Sequence, residues 1–314
     1  MLANTVSRSG CCQTESRTLE HRSLSSSEEV TPAEQPEPAE ASADPRDDDV
    51  LPDNLTDALA QASEATAKAL ERGAGRCIVE LLLPEFWDPN SGAVFAEEGD
   101  QQRFWKLTRR FVEQMAEQSG RSHVRAVYPD IGVAAMLKNQ WQDVTFHLSS
   151  LNDRKVFSEE DDLIVIAAPD PQGLQDVVRV SQQAEGSKPV VLFNPRLASG
   201  DAGIGLNVRR MRDRFLSTFV TTYSLRPIGD AGSVFRRYPS LWQVFMEDPS
   251  MPGRYKLAAE RAERPAGDAL DLILTEASGA ELNADGEPGS GPGLLTQLGS
   301  TMASLQRFAR SLSR

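Results

Sequence analysis

The sequence predicts an α/β domain: a mostly parallel twisted sheet with flanking helices, Rossmann-like in layout, and an antiparallel C-terminal extension. Three observations predict it. Short apolar runs alternate with helical patterns of ten or more residues, the signature of parallel strands joined by crossover helices. Val190-Val191-Leu192-Phe193, a glycine loop, an arginine-bearing helix and a run over Phe219 to Leu225 form one strand–helix–strand unit. After Pro227 the runs become short and closely spaced, with Pro and Gly between them, as in antiparallel pairs.

In chain order, Met1 to Ser27 holds seven serines, three arginines and two glutamates, and it lacks a secretory apolar core. It reads as a plastid transit peptide or as an ordinary disordered start. Residues 28–53 are rich in Pro, Ala, Glu and Asp, too poor in apolar bulk to offset chain entropy, and read as a disordered acidic linker. Glu28 to Ala60 carries eleven acids and one base, so the net charge of −13 is concentrated there. The folded part is therefore not marked as a binder of basic partners. Its own bases are interleaved with acids, which speaks against nucleic acid.

Residues 54–276 are expected to form a single domain. Leu55 to Leu70 has helical periodicity and a stop at Gly73. Strands follow at Cys77 to Leu83, Val124 to Tyr128, Val144 to Leu148, Leu163 to Ala168 and Val190 to Phe193, with helices over Gln101 to Gln118, Ile131 to Asn139 and Leu174 to Ala184. The helix from Asn207 has Val208, Met211, Phe215 and Phe219 as its apolar stripe. Gly232 to Tyr238, Leu241 to Glu247 and Tyr255 to Ala259 form the antiparallel part, and Asp268 to Glu276 a helix. Residues 277–293 end in GEPGSGPG and read as a flexible linker. Residues 294–314 read as an amphipathic helix whose only charges are Arg307, Arg310 and Arg314.

Three cysteines, two of them adjacent, exclude a disulfide scaffold and a zinc site by spacing. No histidine has a triad or metal partner at a recognisable spacing, so neither cofactor nor metal is predicted. No apolar stretch reaches the roughly 20 residues of a membrane span.

Candidate chemistry gathers where strands end. Asp130 follows one strand, Asn152-Asp153-Arg154 another, Asp170 a third, and Asn194 with Arg196 a fourth. Parallel strands bring such ends to one edge, where α/β folds bind ligands. The competing reading is that Asp and Asn cap the helices that follow. Gly200, Asp201, Gly203 and Gly205 precede the arginine-bearing helix, where backbone N–H groups with Arg209 or Arg210 would hold an anion. The spacing is not the dinucleotide fingerprint, and turn chemistry also accounts for it.

Six phrases together carry a resemblance: Gly99-Asp100-Gln101-Gln102-Arg103-Phe104-Trp105, Tyr128-Pro129-Asp130, Ala168-Pro169-Asp170, Phe193-Asn194-Pro195-Arg196, Tyr223-Ser224-Leu225-Arg226-Pro227 and Phe235-Arg236-Arg237-Tyr238-Pro239. Over about Arg76 to Glu276 the chain resembles a plastid and cyanobacterial domain-of-unknown-function family that includes a plant photosystem II assembly protein. The resemblance implies a non-enzymatic chloroplast factor, stromal or peripheral to the thylakoid, that assists photosystem II assembly. Its implied partners are other assembly factors or core subunits, with peripheral thylakoid membrane contact through 294–314. It supplies no catalytic residues. The alternative is a nucleotide- or phosphorylated-small-molecule-binding enzyme using the strand-end cleft.

Overall fold

The computed structural model describes residues 47–83, 87–88, 92–93, 99–197, 206–228 and 232–278. The segments expected at 1–27, 277–293 and 294–314 lie outside the described residues, apart from 277 and 278. The described residues open on a 3-10 turn, Asp47–Val50, followed by α1 (Leu55–Glu71), β1 (Arg76–Leu81) and a short antiparallel pair, β2 (Trp87–Asp88) with β3 (Gly92–Ala93). Then come α2 (Asp100–Ser119), β4 (Val124–Tyr128), α3 (Ile131–Gln140), β5 (His147–Ser150), β6 (Leu163–Ala167), α4 (Leu174–Ala184), β7 (Val190–Phe193) and α5 (Leu206–Leu216). The chain continues through β8 (Val220–Ile228), β9 (Gly232–Arg237), β10 (Trp242–Glu247), β11 (Tyr255–Arg261) and α6 (Asp268–Ala277).

Among the described residues nine strands make one sheet in the order β11-β10-β9-β8-β1-β7-β6-β4-β5. The strands from β8 to β5 in that order run parallel, and β9, β10 and β11 extend the sheet antiparallel. The expected α/β architecture is therefore present. Every residue of β6 and of β7 is buried, as a continuous apolar run requires when helices cover both faces. One core lies beneath α1, α2 and α3 and holds Leu59, Phe111, Tyr128, Val165, Val191 and Phe193. The other lies beneath α4 and α5 and holds Ile164, Ile166, Val177, Leu192 and Phe215. A third covers the antiparallel half, where Leu270, Ile273 and Leu274 of α6 meet Val234, Trp242 and Val244.

Local causes can be read at most elements. Asn54 caps α1 by accepting the Asp57 N–H, and the left-handed Gly73 follows the helix end. Buried Ala58, Ala62, Ala65 and Ala69 keep α1 slim on its inner side. Thr66 on that helix shares a buried hydroxyl contact of 2.7 Å with Thr222 on β8. At Gly232 a Cβ would fall 1.8 Å from the Phe245 carbonyl oxygen, so the β9–β10 pair closes only over a glycine.

Four expectations need correction. The acidic linker does not extend to residue 53, because Asp48 is buried and binds Arg254 and the Tyr255 N–H beside β11. The third parallel strand spans His147–Ser150, not Val144 to Leu148; its pairing with β4 starts at Arg125↔His147, while Phe146 is buried just before it. β8 continues through Pro227, because β1 pairs only as far as Leu225 and the missing proline N–H leaves no vacancy in that ladder. Phe219, expected on the α5 stripe, lies beyond the helix end and meets Phe215 edge-on at 5.0 Å.

The β5–β6 connection is fixed by Asp161, whose side chain is fully buried. It accepts from the Ser158 N–H at 2.6 Å and from Arg125 Nε at 3.0 Å, and its other oxygen is 3.3 Å from His147 Nδ1. Burial alone would raise its pKa, but the Ser158 N–H, Arg125 and His147 outweigh burial and hold it below the ordinary aspartate value.

Two outcomes are expected. Phe193 is fully buried and stacks on Phe111 at 4.3 Å, so Phe193→Ala should cost about 3–5 kcal/mol in denaturant unfolding. Asp161→Asn should cost about 2–4 kcal/mol near neutral pH. Because the folded-state pKa is depressed, that contribution is complete above the unfolded value of about 3.9 and is lost as pH falls through the folded pKa. The gap between wild type and variant should thus narrow as pH falls below the ordinary aspartate value; a constant gap would show that the carboxylate charge is not what stabilises the loop.

Candidate functional site

The carboxyl ends of β1, β7, β6, β4 and β5 lie along one edge of the sheet, and each is hydrogen-bonded to its neighbour beyond the ladder. Leu151 N–H donates to the Tyr128 carbonyl at 2.9 Å, Ala168 N–H to Phe193 at 2.8 Å, and Arg196 N–H to Pro169 at 2.8 Å. Asn194 N–H donates to Val79 at 2.8 Å, and its side-chain Oδ1 accepts the Leu81 N–H at 2.6 Å. That amide is buried, and without Asn194 its N–H would have no acceptor in the seam.

Two residues of this edge are strained. Ala168 and Asn194 both have φ of 46°, and both precede a proline. A residue before proline favours extended backbone, and the left-handed region costs a residue with a Cβ roughly 1–2 kcal/mol. Asn tolerates it best, which suits position 194.

The chain leaves β4 through α3 toward β5, and leaves the adjacent β6 through α4 toward β7, on opposite faces. Such divergence between neighbouring strands makes the crevice in which doubly wound folds bind ligands. Tyr128-Pro129-Asp130 and Ala168-Pro169-Asp170 form its two lips.

The predicted residues are placed as follows. Asp130 is exposed and caps α3 by accepting the Val133 N–H at 2.8 Å. Asp170 accepts the Gly173 N–H at 2.8 Å, at the start of α4. Asp153 closes the turn after β5 by accepting the Ser150 N–H at 2.9 Å. Asn152 donates its N–H to the Ser150 hydroxyl at 3.0 Å, with its amide 3.4 Å from Asp176. Arg154 is exposed and makes no hydrogen bond or ion pair with the described residues. Arg196 is half-buried, and its Nε, fully shielded from solvent, has no partner among the described residues. Burial lowers its pKa, against the nearby charge of Asp170. Gly200, Asp201, Gly203, Gly205 and the Arg209 side chain lie outside the described residues. Arg210 does not join this group; it lines a cavity with Arg76, the first residue of β1, at the opposite edge.

Three buried polar groups were not among the predicted site residues. Trp105 Nε1, Tyr128 Oη and Ser149 Oγ are buried without a hydrogen-bond partner among the described residues. Trp105 and Tyr128 meet edge-on at 5.5 Å, and burial pushes the Tyr128 pKa up, so its hydroxyl keeps its proton. The only signal available was that Trp and Tyr carry a polar atom that burial obliges to find a partner. Trp105 and Tyr128 belong to the core beneath α1, α2 and α3, whereas Ser149 is paired with Val127 of the opposite core, so these donors lie on both faces of the sheet. Cys77 is no nucleophile, since burial raises its thiol to about 12. Among the described residues no group of His, Cys, Asp and Glu is arranged to hold a metal ion.

A family model described as domain of unknown function (DUF1995) matches residues 52–272. The chain belongs to the DUF1995 family. The match runs from just before α1 into α6, so the parallel core and the antiparallel extension form one DUF1995 unit. No solved structure matches the chain.

Asn194→Ala should remove the acceptor for Leu81 and keep the backbone strain, costing about 2–4 kcal/mol. Asn194→Gly removes the same acceptor but relieves the strain, and should be milder by about 1 kcal/mol. Equal losses in urea unfolding would show that the left-handed geometry carries no cost here.

Proposed function

We propose that this DUF1995 protein is a non-enzymatic chloroplast factor that assists photosystem II assembly by binding other assembly factors or core subunits at the thylakoid. The observation that carries the non-enzymatic reading is the engagement of the strand-end acids. Asp130 and Asp170 each accept a backbone N–H at the start of the helix that follows, Asp153 accepts that of Ser150 at the end of β5, and Asn194 accepts one from β1. These side chains hold the edge of the sheet in shape, which is what a rigid binding platform needs. The photosystem II setting is supported by the phrases shared with the assembly family, three of which close β4, β6 and β7. In this reading residues 1–27 direct the chain into the plastid, and the basic-ended helix expected over 294–314 adds a peripheral membrane contact.

Loss of the protein should lower photosystem II accumulation while photosystem I stays near normal; unchanged photosystem II would refute the proposal. Complementation tests the mechanism. Asn caps a helix about as well as Asp, so the triple variant Asp130→Asn, Asp153→Asn, Asp170→Asn keeps the caps and removes the carboxylates. It should restore photosystem II to the level reached by the wild-type chain. A stably folded triple variant that fails to do so would point to carboxylate chemistry.

A further inference from the structure

At the amino edge of the sheet, opposite the strand-end cluster, two cavities of about 540 and 490 Å³ share the walls Arg76, Glu185 and Thr218. Each is the size of a small-molecule site. Arg210 and Arg214 of α5 line the smaller one, against the apolar walls Val178 and Phe215. Arg121 and Lys188 line the larger. Among the described lining residues five cations thus face one acid.

The cations differ in how far they are engaged. Arg121 and Lys188 donate to backbone carbonyls of the β5–β6 loop. Arg76 is 15% exposed, donates to Thr218 Oγ1 at 2.9 Å and to the Ser181 carbonyl at 3.3 Å, and lies 3.4 Å from Glu185. Arg210 and Arg214 are exposed and make no side-chain hydrogen bond or ion pair with the described residues. They stand four residues apart on one helix face, where like charges repel. A second, independent observation points the same way. Ser181 lines the larger cavity, is completely buried, and its hydroxyl has no partner among the described residues. A helical serine commonly satisfies itself on the carbonyl one turn back, as Ser63 does on Leu59.

We propose that this groove is a binding site for a phosphate-bearing ligand, with the phosphate held by Arg210, Arg214 and Arg76. Planar guanidinium groups match phosphate oxygens in pairs, and a desolvated anion here would relieve the repulsion along α5. A second anionic group on the ligand would reach toward Ser181 and Lys188. The proposal does not rest on the assembly role and concerns the other edge of the sheet.

The test uses the full chain with pyrophosphate as probe, by calorimetry and thermal shift, against potassium chloride at equal ionic strength. The wild type should bind and gain melting temperature. Arg210→Ala/Arg214→Ala should melt as the wild type does without ligand and bind at least tenfold more weakly. A second arm measures sedimentation with phosphatidylglycerol vesicles against phosphatidylcholine vesicles. Pelleting with the former that is lost in the double variant assigns the phosphate to a lipid headgroup; a pyrophosphate response alone assigns it to a soluble ligand. Undiminished binding in the double variant, a response matched by chloride, or no binding in either arm overturns the proposal. So does a response lost in Arg196→Ala but kept in the double variant, which would place the anion at the strand-end edge.

Discussion

A parallel strand buried on both faces must end inside the protein, and every backbone donor near that end needs an acceptor supplied by the chain. The bond from Leu81 N–H to Asn194 Oδ1 is the plainest case. β7 stops at Phe193 while β1 runs on to Leu81, and the asparagine side chain replaces the missing carbonyl. A buried donor left without a partner costs about 1–3 kcal/mol, comparable to the strain that the left-handed backbone imposes at the same residue. The same requirement recurs at Asp130, Asp153 and Asp170, each of which accepts an N–H that a turn or helix start leaves open. The polar character of the edge is thus largely a consequence of how its strands terminate. Trp105, Tyr128, Ser149 and Arg196 are not explained this way, because their polar atoms are buried and unengaged.

The two edges of the sheet differ in the charge that the helices bring. Helix α4 leads from the carboxyl end of β6 to the amino end of β7, and α5 makes the equivalent passage from β7 to β8, so both end near the amino edge. A helix C-terminus carries partial negative charge and draws cations. That accounts for Arg76 on the Ser181 carbonyl, and for Lys188 just past α4. It does not account for Arg210, which sits in the middle of α5, beyond the reach of the end effect. Repulsion between Arg210 and Arg214 is tolerable at an exposed surface, but it leaves the groove with an unbalanced positive field.

Much of the fold was legible in the sequence, and the reason is physical. VVLF and LIVIA admit few other readings, because an unbroken apolar run of that length has to be buried on every side. The bounds of β4, β7 and α4 follow directly from such runs and from the polar residues that bracket them. Strand order was not legible: β1 lies between β8 and β7, far along the chain from both, and no local pattern encodes that adjacency. For the site, sequence placed Asp130, Asp153, Asp170 and Asn194 at strand ends and offered capping as one reading; it could not tell which backbone donors they serve. Arg210 was grouped with the glycine loop by proximity in the chain. A helix rises 1.5 Å per residue, so four residues past its start a side chain is already about 6 Å down the sheet, and Arg210 faces the other cavity. The Asp161 network joins groups 14 and 36 residues apart, a spacing that carries no motif.

The antiparallel half shows why the acidic segment cannot be treated as tail throughout. β11 is the outermost strand on that side, and a free edge offers unpaired backbone groups to other chains. Asp48 accepts the Tyr255 N–H at 2.7 Å at the head of that strand and pairs with both Nε and an Nη of Arg254. With Asp49 on the same guanidinium, the turn places two carboxylates across the start of the edge. Lys256 and Arg261 on β11 add charge along it. The opposite edge, β5, is protected differently, by being only four residues long. Asp47, Asp48 and Asp49 look in composition like the end of a disordered stretch, yet one of them is buried because a long sheet needs its edge closed. Local composition measures how much apolar surface a segment brings, and it is silent about a single carboxylate that the rest of the fold requires.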